Sequence, residues 1–392
     1  MIWGGQGAAI PAPRLIIPHD SDGTLPDLAA YHISSRVVHR QYLFQMEEKE
    51  QFRILMRMYE RYSGCRVLSY CILTNHIHLL LEVPPPPTDR EFGLTEDELI
   101  YRLGGLYSRT YVNGVKAELL EAQEIMGGRR EGHLRLSKAD QKKELAYGRS
   151  QMAAIYERYT KRMHSLSEFM RGLLQRFTRW FNKRHGLRGT LWEDRFHSVI
   201  VQSGLASRTM AAYIDLNPVR AGICKDPADY RWCSYGEAVG GGRGAAKAQS
   251  GLVRALRGHE GHAGTARAWS QGGLSKDYRR LLFTNATEEV EKCSDGKTRV
   301  QRKGMNKAAA KKELARLEEE KARDLKIAKV VRCRVRYFKD GAVLGSRKFV
   351  NDFFESHREA FGKKRKDGAR RAKGSLMELA GEIWSLRDLK DG

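Results

Sequence analysis

Apolar and polar residues alternate along short stretches near the start of the chain, and this alternation predicts β-strands. The stretch YHISSRVVHRQYLF (31–44) is predicted to be a strand with a polar exit. Two further strands are predicted in CRVLSYCILTN (65–75) and HIHLLLEV (76–83), joined by a tight turn. Four prolines at 84–87 end this run, because proline cannot donate a hydrogen bond to a neighbouring strand.

Helical spacing of apolar residues replaces the alternation in three other places. Residues 46–63 place apolar side chains three and four positions apart, and so do residues 165–185, which end at Gly186. A third helix is predicted within 203–223 and is ended by Asn217 and Pro218, because the residue before proline avoids helical geometry. The mixture of strands and helices predicts an α+β fold.

Composition divides the rest of the chain. Residues 1–27 are predicted to be a flexible tail, and residues 28–240 a single domain interrupted by a charged, helix-prone insertion at 85–160. The Gly- and Ala-rich stretch that starts near residue 240 predicts a linker over 241–300. Residues 301–392 are predicted to form a basic, mostly helical C-terminal region.

The charge of the chain indicates the class of its binding partner. Seventy Lys and Arg residues against 47 Asp and Glu give a net charge of +23, which indicates a polyanionic partner, most often nucleic acid. None of the six cysteines forms a C-x-x-C pair, which excludes a zinc ribbon or a thioredoxin-type motif. The sequence predicts neither a signal peptide nor a membrane span, and we therefore expect a cytoplasmic protein associated with the nucleoid.

Two histidines, His76 and His78, interrupt an otherwise apolar strand. Because side chains alternate on a strand, both histidines point to one face, where two imidazoles can chelate a metal ion. Ile77 and the leucines that follow point to the other face. A bare H-x-H pattern is weak evidence by itself, and two ordinary half-buried or surface histidines would look the same.

A tyrosine four residues before an amide is the second candidate for chemistry. Tyr213 and Asn217 share one helix face, so a hydroxyl nucleophile and an amide oxygen could reach one point. Tyr147 and Gln151 have the same spacing, but Gly148 argues against a rigid helix at that place. A buried core tyrosine with a capping asparagine is the alternative explanation of Tyr213.

Four stretches in order carry a resemblance to a known family: YHISSRVVHRQ, YCILTNHIHLLLEV, the region from SEFMRGLLQ to FHSVIV, and YIDLNPVRAGI. Together, within about residues 31–235, they resemble the HUH single-tyrosine transposases, in particular the REP-associated tyrosine transposases related to insertion-sequence-200-like enzymes. The resemblance implies a ferredoxin-like HUH domain with a central antiparallel sheet and packed helices. The insertion at 85–160 and the region after residue 240 depart from the compact members of this family.

The resemblance also implies roles for individual residues. His76 and His78 would be the two histidines of the HUH motif, Tyr213 the nucleophile, and Asn217 a third metal ligand, where related enzymes often have Gln. The implied reaction is metal-dependent cleavage and rejoining of single-stranded or hairpin DNA through a 5′-phosphotyrosine, with Mg²⁺ or Mn²⁺ as the expected ion and zinc as a less suitable one. The oligomeric state stays open between a monomer and a homodimer.

Basic residues around these motifs are the candidates for DNA binding. Trp180, Trp192 and Phe196 could stack bases, although a core position is the more ordinary explanation of Phe196 and an equally good one for the two tryptophans. Three alternatives stay open: a catalytically silent protein that binds hairpin DNA or RNA, a relaxase or replication initiator, and an H-x-H metal hydrolase. The predicted phosphate-binding residues are Arg36, Arg171, Arg176, Arg179, Lys183, Arg188, Arg195 and Arg220.

Overall fold

The chain divides into two compact units. The first, which we call the sheet unit, contains residues 1–50, 67–82 and 188–392, and the second, the helical unit, contains residues 51–66 and 83–187. The computed structural model describes residues 30–88, 91–258, 265–271, 273–285, 287, 289–292, 298–302, 304–323, 325, 342–361, 366, 368–371 and 383–386. The predicted tail at 1–27 lies outside these residues.

The strands form one large sheet and one small hairpin. The large sheet has the strand order β2-β3-β1-β4-β7-β9-β8, and β5 pairs with β6. The strands are β1 (Ala30–Arg36), β2 (Arg66–Ile72), β3 (His76–Glu82), β4 (His197–Val201), β5 (Glu289–Lys292), β6 (Thr298–Arg302), β7 (Val343–Gly345), β8 (Arg370–Arg371) and β9 (Trp384–Leu386).

The helices are distributed over both units. Helix α1 begins in the sheet unit and continues into the helical unit, which also holds α2 to α5. The helices are α1 (Met46–Ser63), α2 (Glu96–Leu103), α3 (Arg109–Met126), α4 (Lys138–Thr160), α5 (Leu166–His185), α6 (Leu205–Asp215), α7 (Asn217–Arg220), α8 (Ser234–Val239), α9 (Ala245–Arg257), α10 (Thr265–Ser270), α11 (Leu274–Asn285), α12 (Lys307–Glu319) and a last helix over Arg347–Ser356.

The predicted α+β class is confirmed, but the sheet is mixed. Strand β1 pairs antiparallel with β3 on one side and with β4 on the other. Strand β4 pairs parallel with β7, so strands from the C-terminal region extend the sheet that carries His76 and His78. The sequence did not predict this extension, because β7 is three residues long and carries no period of its own.

The prediction of a linker over 241–300 was wrong. Helices α9, α10 and α11 lie in this segment, and their apolar side chains belong to the main core of the sheet unit. Small residues misled the prediction because they serve close packing here. A Cβ atom on Gly251 of α9 would lie 2.9 Å from the carbonyl oxygen of Leu68, closer than real contacts allow.

The helical unit has its own core, and the insertion at 85–160 supplies most of it. Helices α2, α3 and α4 bury a cluster that includes Leu99, Leu119 and Tyr159. Gly148 does not interrupt α4, which runs unbroken through it. A Cβ atom there would lie 2.8 Å from the Cα atom of Met126 in α3, so the glycine allows the two helices to approach closely.

Helix α6 is the element that positions a tyrosine near the histidine strand. Its side chains belong to the same buried cluster as Leu80 of β3 and Val199 of β4. Gly204 precedes the helix with φ of 80°, a conformation that favours glycine, and redirects the chain after β4. No described helix is both long and apolar enough to cross a membrane.

Candidate functional site

The histidine pair lies on the face of the sheet that the alternation predicts. Cα partners in an antiparallel ladder share a face, and the register pairs His76 with Arg36 and His78 with Ser34. Ser34 also pairs with His197 of β4, so three adjacent strands bring polar side chains into one row. His78 is fully buried and His76 is half-buried.

A third histidine, His32 of β1, holds the ring of His78. Its Nε2 atom lies 3.1 Å from Nδ1 of His78, and the two rings stack with centroids 5.2 Å apart. If Nδ1 of His78 carries the proton and donates it to His32, the Nε2 atom of His78 becomes the basic nitrogen that a metal requires. His32 is 1% exposed and stands two residues before Ser34 on the same face, a signal that the sequence reasoning missed.

Asn75 holds His76 in a comparable way. The Nδ2 atom of Asn75 donates to the carbonyl oxygen of Arg40 at 3.0 Å, because a carbonyl can only accept. The Oδ1 atom of Asn75 therefore faces Nδ1 of His76 at 2.7 Å and accepts its proton. This places the proton of His76 on Nδ1 and makes Nε2 the metal-ligating atom.

The turn that supplies this carbonyl is strained. His39 and Arg40 have φ of 55° and 56°, a region that residues other than glycine seldom occupy. Strained backbone persists where the surrounding structure enforces it, and such positions cluster at functional sites. The hydrogen bond from Asn75 is one of the contacts that enforce it.

Tyr213 of α6 lies beside the histidines. Its ring centroid is 5.9 Å from that of His78 and 6.0 Å from that of His32, edge to face in both cases. The guanidinium carbon of Arg220 lies 5.1 Å from the centre of the tyrosine ring. Tyr213 is 2% exposed, so its ring is part of the packed interior.

Asn217 caps the end of α6. Its Nδ2 atom donates to the backbone oxygens of Tyr213 at 3.0 Å and of Ile214 at 3.4 Å. Pro218 has no N–H and therefore cannot donate to Ile214, which explains why a side chain does so. With the amide nitrogen engaged, the Oδ1 atom of Asn217 is the atom that the predicted metal-ligand role requires.

A buried carboxylate fixes α6 from within the core. Oδ2 of Asp215 accepts a hydrogen bond of 2.7 Å from the hydroxyl of Tyr278 in α11, and Oδ1 accepts one of 3.0 Å from the backbone N–H of Tyr235 in α8. Burial raises the pKa of Asp215 to about 7, although these hydrogen bonds oppose the shift. Asp215 thus anchors the helix turn that carries Tyr213.

A cavity of about 380 Å³ lies next to the histidine strand. The segment after Leu191 docks on the end of β1, where the N–H of Glu193 donates to the carbonyl of Arg36 at 2.9 Å. Charges of both signs therefore surround one space, which suits a phosphate together with a cation. The residues that line it are Ser34, Ser35, Arg36, His76, Glu193, Asp194, Arg195 and His197.

The other predicted DNA-binding residues lie in different surroundings. Arg171, Arg176 and Arg179 line a second cavity, within the helical unit, and Lys183 is exposed on the last turn of α5. Arg188 is exposed in the sheet unit. Trp192 and Phe196, offered as base-stacking residues, are buried, so their core explanation is the right one.

The donor atoms fit an open metal site rather than a closed one. Within the described residues, no group of three or more His, Cys, Asp or Glu side chains is arranged to hold a metal ion. His76 and His78, with ring centroids 5.1 Å apart, offer two neutral nitrogen ligands, to which Asn217 would add a neutral oxygen. Such a set leaves coordination positions for substrate oxygens, as an open metal site requires.

Comparisons with known proteins support the resemblance over part of the chain. The strands, their histidine pair and the tyrosine helix define an α+β protein with a paired-histidine site. The family described as "Transposase IS200 like" matches residues 27–89, which hold β1, α1, β2 and β3 with both histidines. The resemblance is therefore confirmed for this segment, about one sixth of the chain, which does not include Tyr213 or Asn217.

A solved structure gives a weaker likeness. It is described as "Structure of the REP associates tyrosine transposase bound to a REP hairpin" and is 12% identical, covering 55% of this chain and 81% of that chain with a TM-score of 0.28. Such a TM-score is too low to establish a shared fold. No curated protein matches the chain.

Proposed function

We propose that this protein is a DNA transposase that cleaves and rejoins single-stranded or hairpin DNA with Tyr213 as its nucleophile. One observation carries the proposal: the ring of Tyr213 lies 5.9 Å from that of His78, in a site where Nδ1 of each candidate histidine ligand is held by a neighbour. The match of residues 27–89 to IS200-like transposases supports it. A DNA-processing enzyme of this kind would act at the nucleoid, in the cytoplasm.

The proposed reaction is a transesterification at phosphorus. The Tyr213 oxygen attacks the scissile phosphorus and loses its proton, while the bond from phosphorus to the 3′-oxygen breaks and that oxygen takes up a proton. The products are a 5′-phosphotyrosine and a free 3′-hydroxyl, which rejoins strands by the reverse attack. Arg220 above the tyrosine ring favours the negative charge that develops on the phenolic oxygen.

His76, His78 and Asn217 would hold the divalent cation, which supplies positive charge to the phosphate oxygens when it is bound. Asn75 keeps the proton of His76 on Nδ1, and if Nδ1 of His78 likewise donates to His32, both imidazoles present Nε2 to the site. Arg36 and Arg195, which line the adjacent cavity, would bind phosphates that flank the cleaved bond.

Burial of Tyr213 favours one alternative function. Because the side chain is 2% exposed, DNA must open the site before the hydroxyl can reach a phosphate. A protein that binds hairpin DNA without cutting it would need no such opening. The alternative is therefore a catalytically silent DNA-binding protein that keeps the histidines and the tyrosine as packing residues.

A covalent-adduct assay separates the two functions. The full chain is mixed with Mn²⁺ or Mg²⁺ and with labelled hairpin oligonucleotides from the DNA that flanks its gene, and then run on a denaturing gel. We expect a labelled band that a chelator prevents and whose label maps to the peptide with Tyr213. Tyr213→Phe keeps the ring under Arg220 and should abolish the adduct but not hairpin binding.

Tight hairpin binding without an adduct from any flanking oligonucleotide would reject the proposal in favour of the silent protein. Loss of both binding and adduct in Tyr213→Phe, with a lower melting temperature, would show that Tyr213 is a packing residue.

A further inference from the structure

A cleft in the helical unit has the character of an anion-binding site. It has a volume of about 270 Å³ and is lined by residues of α1 and α5, of the connection between α2 and α3, and of the connection between α4 and α5. Its wall combines arginines with tyrosines. We call it the arginine cleft and define it by Tyr62, Tyr107, Arg162, Arg171, Arg176 and Arg179.

The segment that carries the four arginines of the cleft is strongly basic. Residues 161–187 contain seven Lys and Arg against one acid, Glu168, a net charge of 7 − 1 = +6. The preceding insertion, residues 85–160, contains twelve Lys and Arg against twelve Asp and Glu, a net charge of zero. The single acid is engaged in an ion pair with Arg171. Four of these seven cations line the arginine cleft, whereas the preceding insertion has no excess of positive charge.

Two of the arginines are fixed before any ligand arrives. Arg162 donates to the hydroxyl of Tyr107 at 2.8 Å, and its guanidinium carbon lies 5.9 Å from the centre of the Tyr62 ring. Arg176 donates two N–H groups to the carbonyl oxygen of Leu106, both at 3.3 Å. A guanidinium held by some of its five donors keeps others for a ligand, at little further cost in side-chain entropy.

The other two arginines extend this site along the helix surface. Arg171 and Arg179 are exposed and lie eight residues apart on α5, so they face the same side. Gly172 lets the first helix come close, because a Cβ atom there would lie 2.9 Å from the hydroxyl oxygen of Tyr59. Two fixed and two adaptable guanidinium groups thus line one side of a path along the helix.

The chemistry of the cleft selects a phosphate chain. Arginine forks match phosphate oxygens in geometry and charge. The net charge of +23 points to the same class of partner.

We propose that the arginine cleft binds the phosphate backbone of a single DNA strand, so that the helical unit serves as a substrate-binding element. This inference rests on the proposed function for the identity of the nucleic acid. It assigns phosphate contacts to Arg162 and Arg176 as well as to the exposed Arg171 and Arg179.

The salt dependence of binding tests the proposal. The full chain is titrated with a fluorescent single-stranded oligonucleotide at several salt concentrations, for the wild type, for Arg171→Gln with Arg179→Gln, and for Arg149→Gln. Each phosphate contact to a single strand contributes about 0.7 to the slope of log affinity against log salt. The double variant should therefore bind more weakly and lose about 1.4 from the slope, which is two contacts at that value.

Arg149→Gln is the matched control. Arg149 lies on α4 of the same unit, is largely exposed like Arg171 and Arg179, and forms an ion pair with Glu91 at 2.8 Å outside the cleft. Its slope should equal that of the wild type. Equal slopes for the double variant and the wild type, with melting temperatures unchanged, would overturn the proposal. An equal loss of slope in the double variant and in Arg149→Gln would overturn it too, because the loss would then not depend on where on the surface the charge lies.

Competition with a mononucleotide distinguishes a site for a DNA strand from a site for a free nucleotide. Thymidine monophosphate should compete only at concentrations far above those of the oligonucleotide. If it bound tightly and the double variant lost that binding but not oligonucleotide binding, the cleft would be a nucleotide site and the proposal would fail.

The result is independent of catalysis. The salt slopes are measured on binding alone, so they do not require the protein to cleave DNA. An adduct that no protein forms would reject the proposed transposase reaction, while the salt slopes would still decide on the cleft.

Discussion

The histidine site and the arginine cleft use polar side chains in opposite ways. In the sheet unit, His32, His78 and Asp215 are almost fully buried, and each has a hydrogen-bond partner. In the helical unit, Arg171 and Arg179 are exposed, and only part of the cation set is held in place. The two regions therefore differ in how firmly the fold fixes their polar side chains before substrate binds.

The difference follows from what each task requires. Chemistry at a phosphate needs groups whose positions and protons are fixed in advance, and burial provides this at the cost of desolvation. Binding a chain of phosphates needs positive charge within reach of water, where a flexible arginine can follow the backbone. A single substitution in the buried network should consequently cause a large loss of activity. In the cleft, each arginine removed should lower the DNA affinity by a smaller, similar amount.

The strongest test of this contrast acts on the histidine strand. His76→Ala should reduce cleavage by about a hundredfold or more at fixed Mg²⁺, because charge stabilisation by a bound cation is worth several kcal/mol. Asn75→Ala removes only the partner of Nδ1 and should reduce cleavage by about 10- to 100-fold. Initial rates of adduct formation with saturating hairpin DNA measure both effects.

Raising the Mn²⁺ concentration provides the control for these two variants. Asn75→Ala should recover in part, since its metal affinity is lowered but both imidazoles remain. His76→Ala should not recover. Unchanged rates in His76→Ala would remove the metal role from this residue, and equal behaviour of the two variants would contradict a supporting role for Asn75.

The buried carboxyl group predicts a pH dependence of stability. Burial raises the pKa of Asp215 from 3.8 to about 7, so between these values the folded state holds a proton that the unfolded state has lost. Stability from this group is therefore fully present below about pH 4, falls as the pH rises, and is lost above about pH 7. One pKa unit is worth about 1.4 kcal/mol, which gives a loss of the order of 4 kcal/mol.

Asp215→Asn shows this effect as a difference from the wild type. The amide cannot ionise, but it can still accept from the Tyr235 N–H, and its own N–H can meet the Tyr278 hydroxyl. Thermal melting at pH 4.5, 6 and 7.5 should show the variant gaining stability relative to the wild type as the pH rises. Tyr278 and the buried thiols of Cys71 and Cys233 also face this carboxyl, and burial raises their pKa values further above neutrality, so they do not titrate in this window. Parallel curves would contradict the prediction.

The smallest expected effects concern close packing in the helical unit. Gly148→Ala should destabilise this unit by about 2 kcal/mol, because its Cβ would meet the backbone of Met126 in α3. Gly114→Ala is the matched control on α3, since nothing lies within 4 Å of its Cβ position. It should stabilise the helix by about 0.5–1 kcal/mol. Denaturant unfolding measures both, and a stabilising Gly148→Ala would contradict the packing role.

The sequence predicted those parts of the site that depend on local periodicity. Alternation along β3 placed His76 and His78 on one face, and helical spacing identified Tyr213 and Asn217. It missed His32, because a lone histidine acquires meaning only from the register that pairs β1 with β3. It missed Asn75 for a related reason: the carbonyl of Arg40 that orients it belongs to a turn that no short-range pattern indicates.

Glycine and alanine caused the errors in the fold prediction. At Gly148 and Gly251 a missing side chain permits close approach of backbones, whereas the sequence reasoning took the first as a helix breaker and the second as part of a linker. Both interpretations follow from local propensity, which tertiary packing overrides. The addition of β7 to β4 was equally hidden, because three residues carry too little pattern.

The strand order of the large sheet has a consequence for how the molecule assembles. Strand β1 ends at Arg36 but pairs with β4, which begins at His197, and β4 in turn pairs with β7, which begins at Val343. Such distant segments pair slowly, because closing the long loops between them costs conformational entropy before the strand contacts lower the free energy. Helices α3 and α4 are neighbours in sequence and form fast. A refolding experiment should therefore record helical signal well before the histidines and Tyr213 come together.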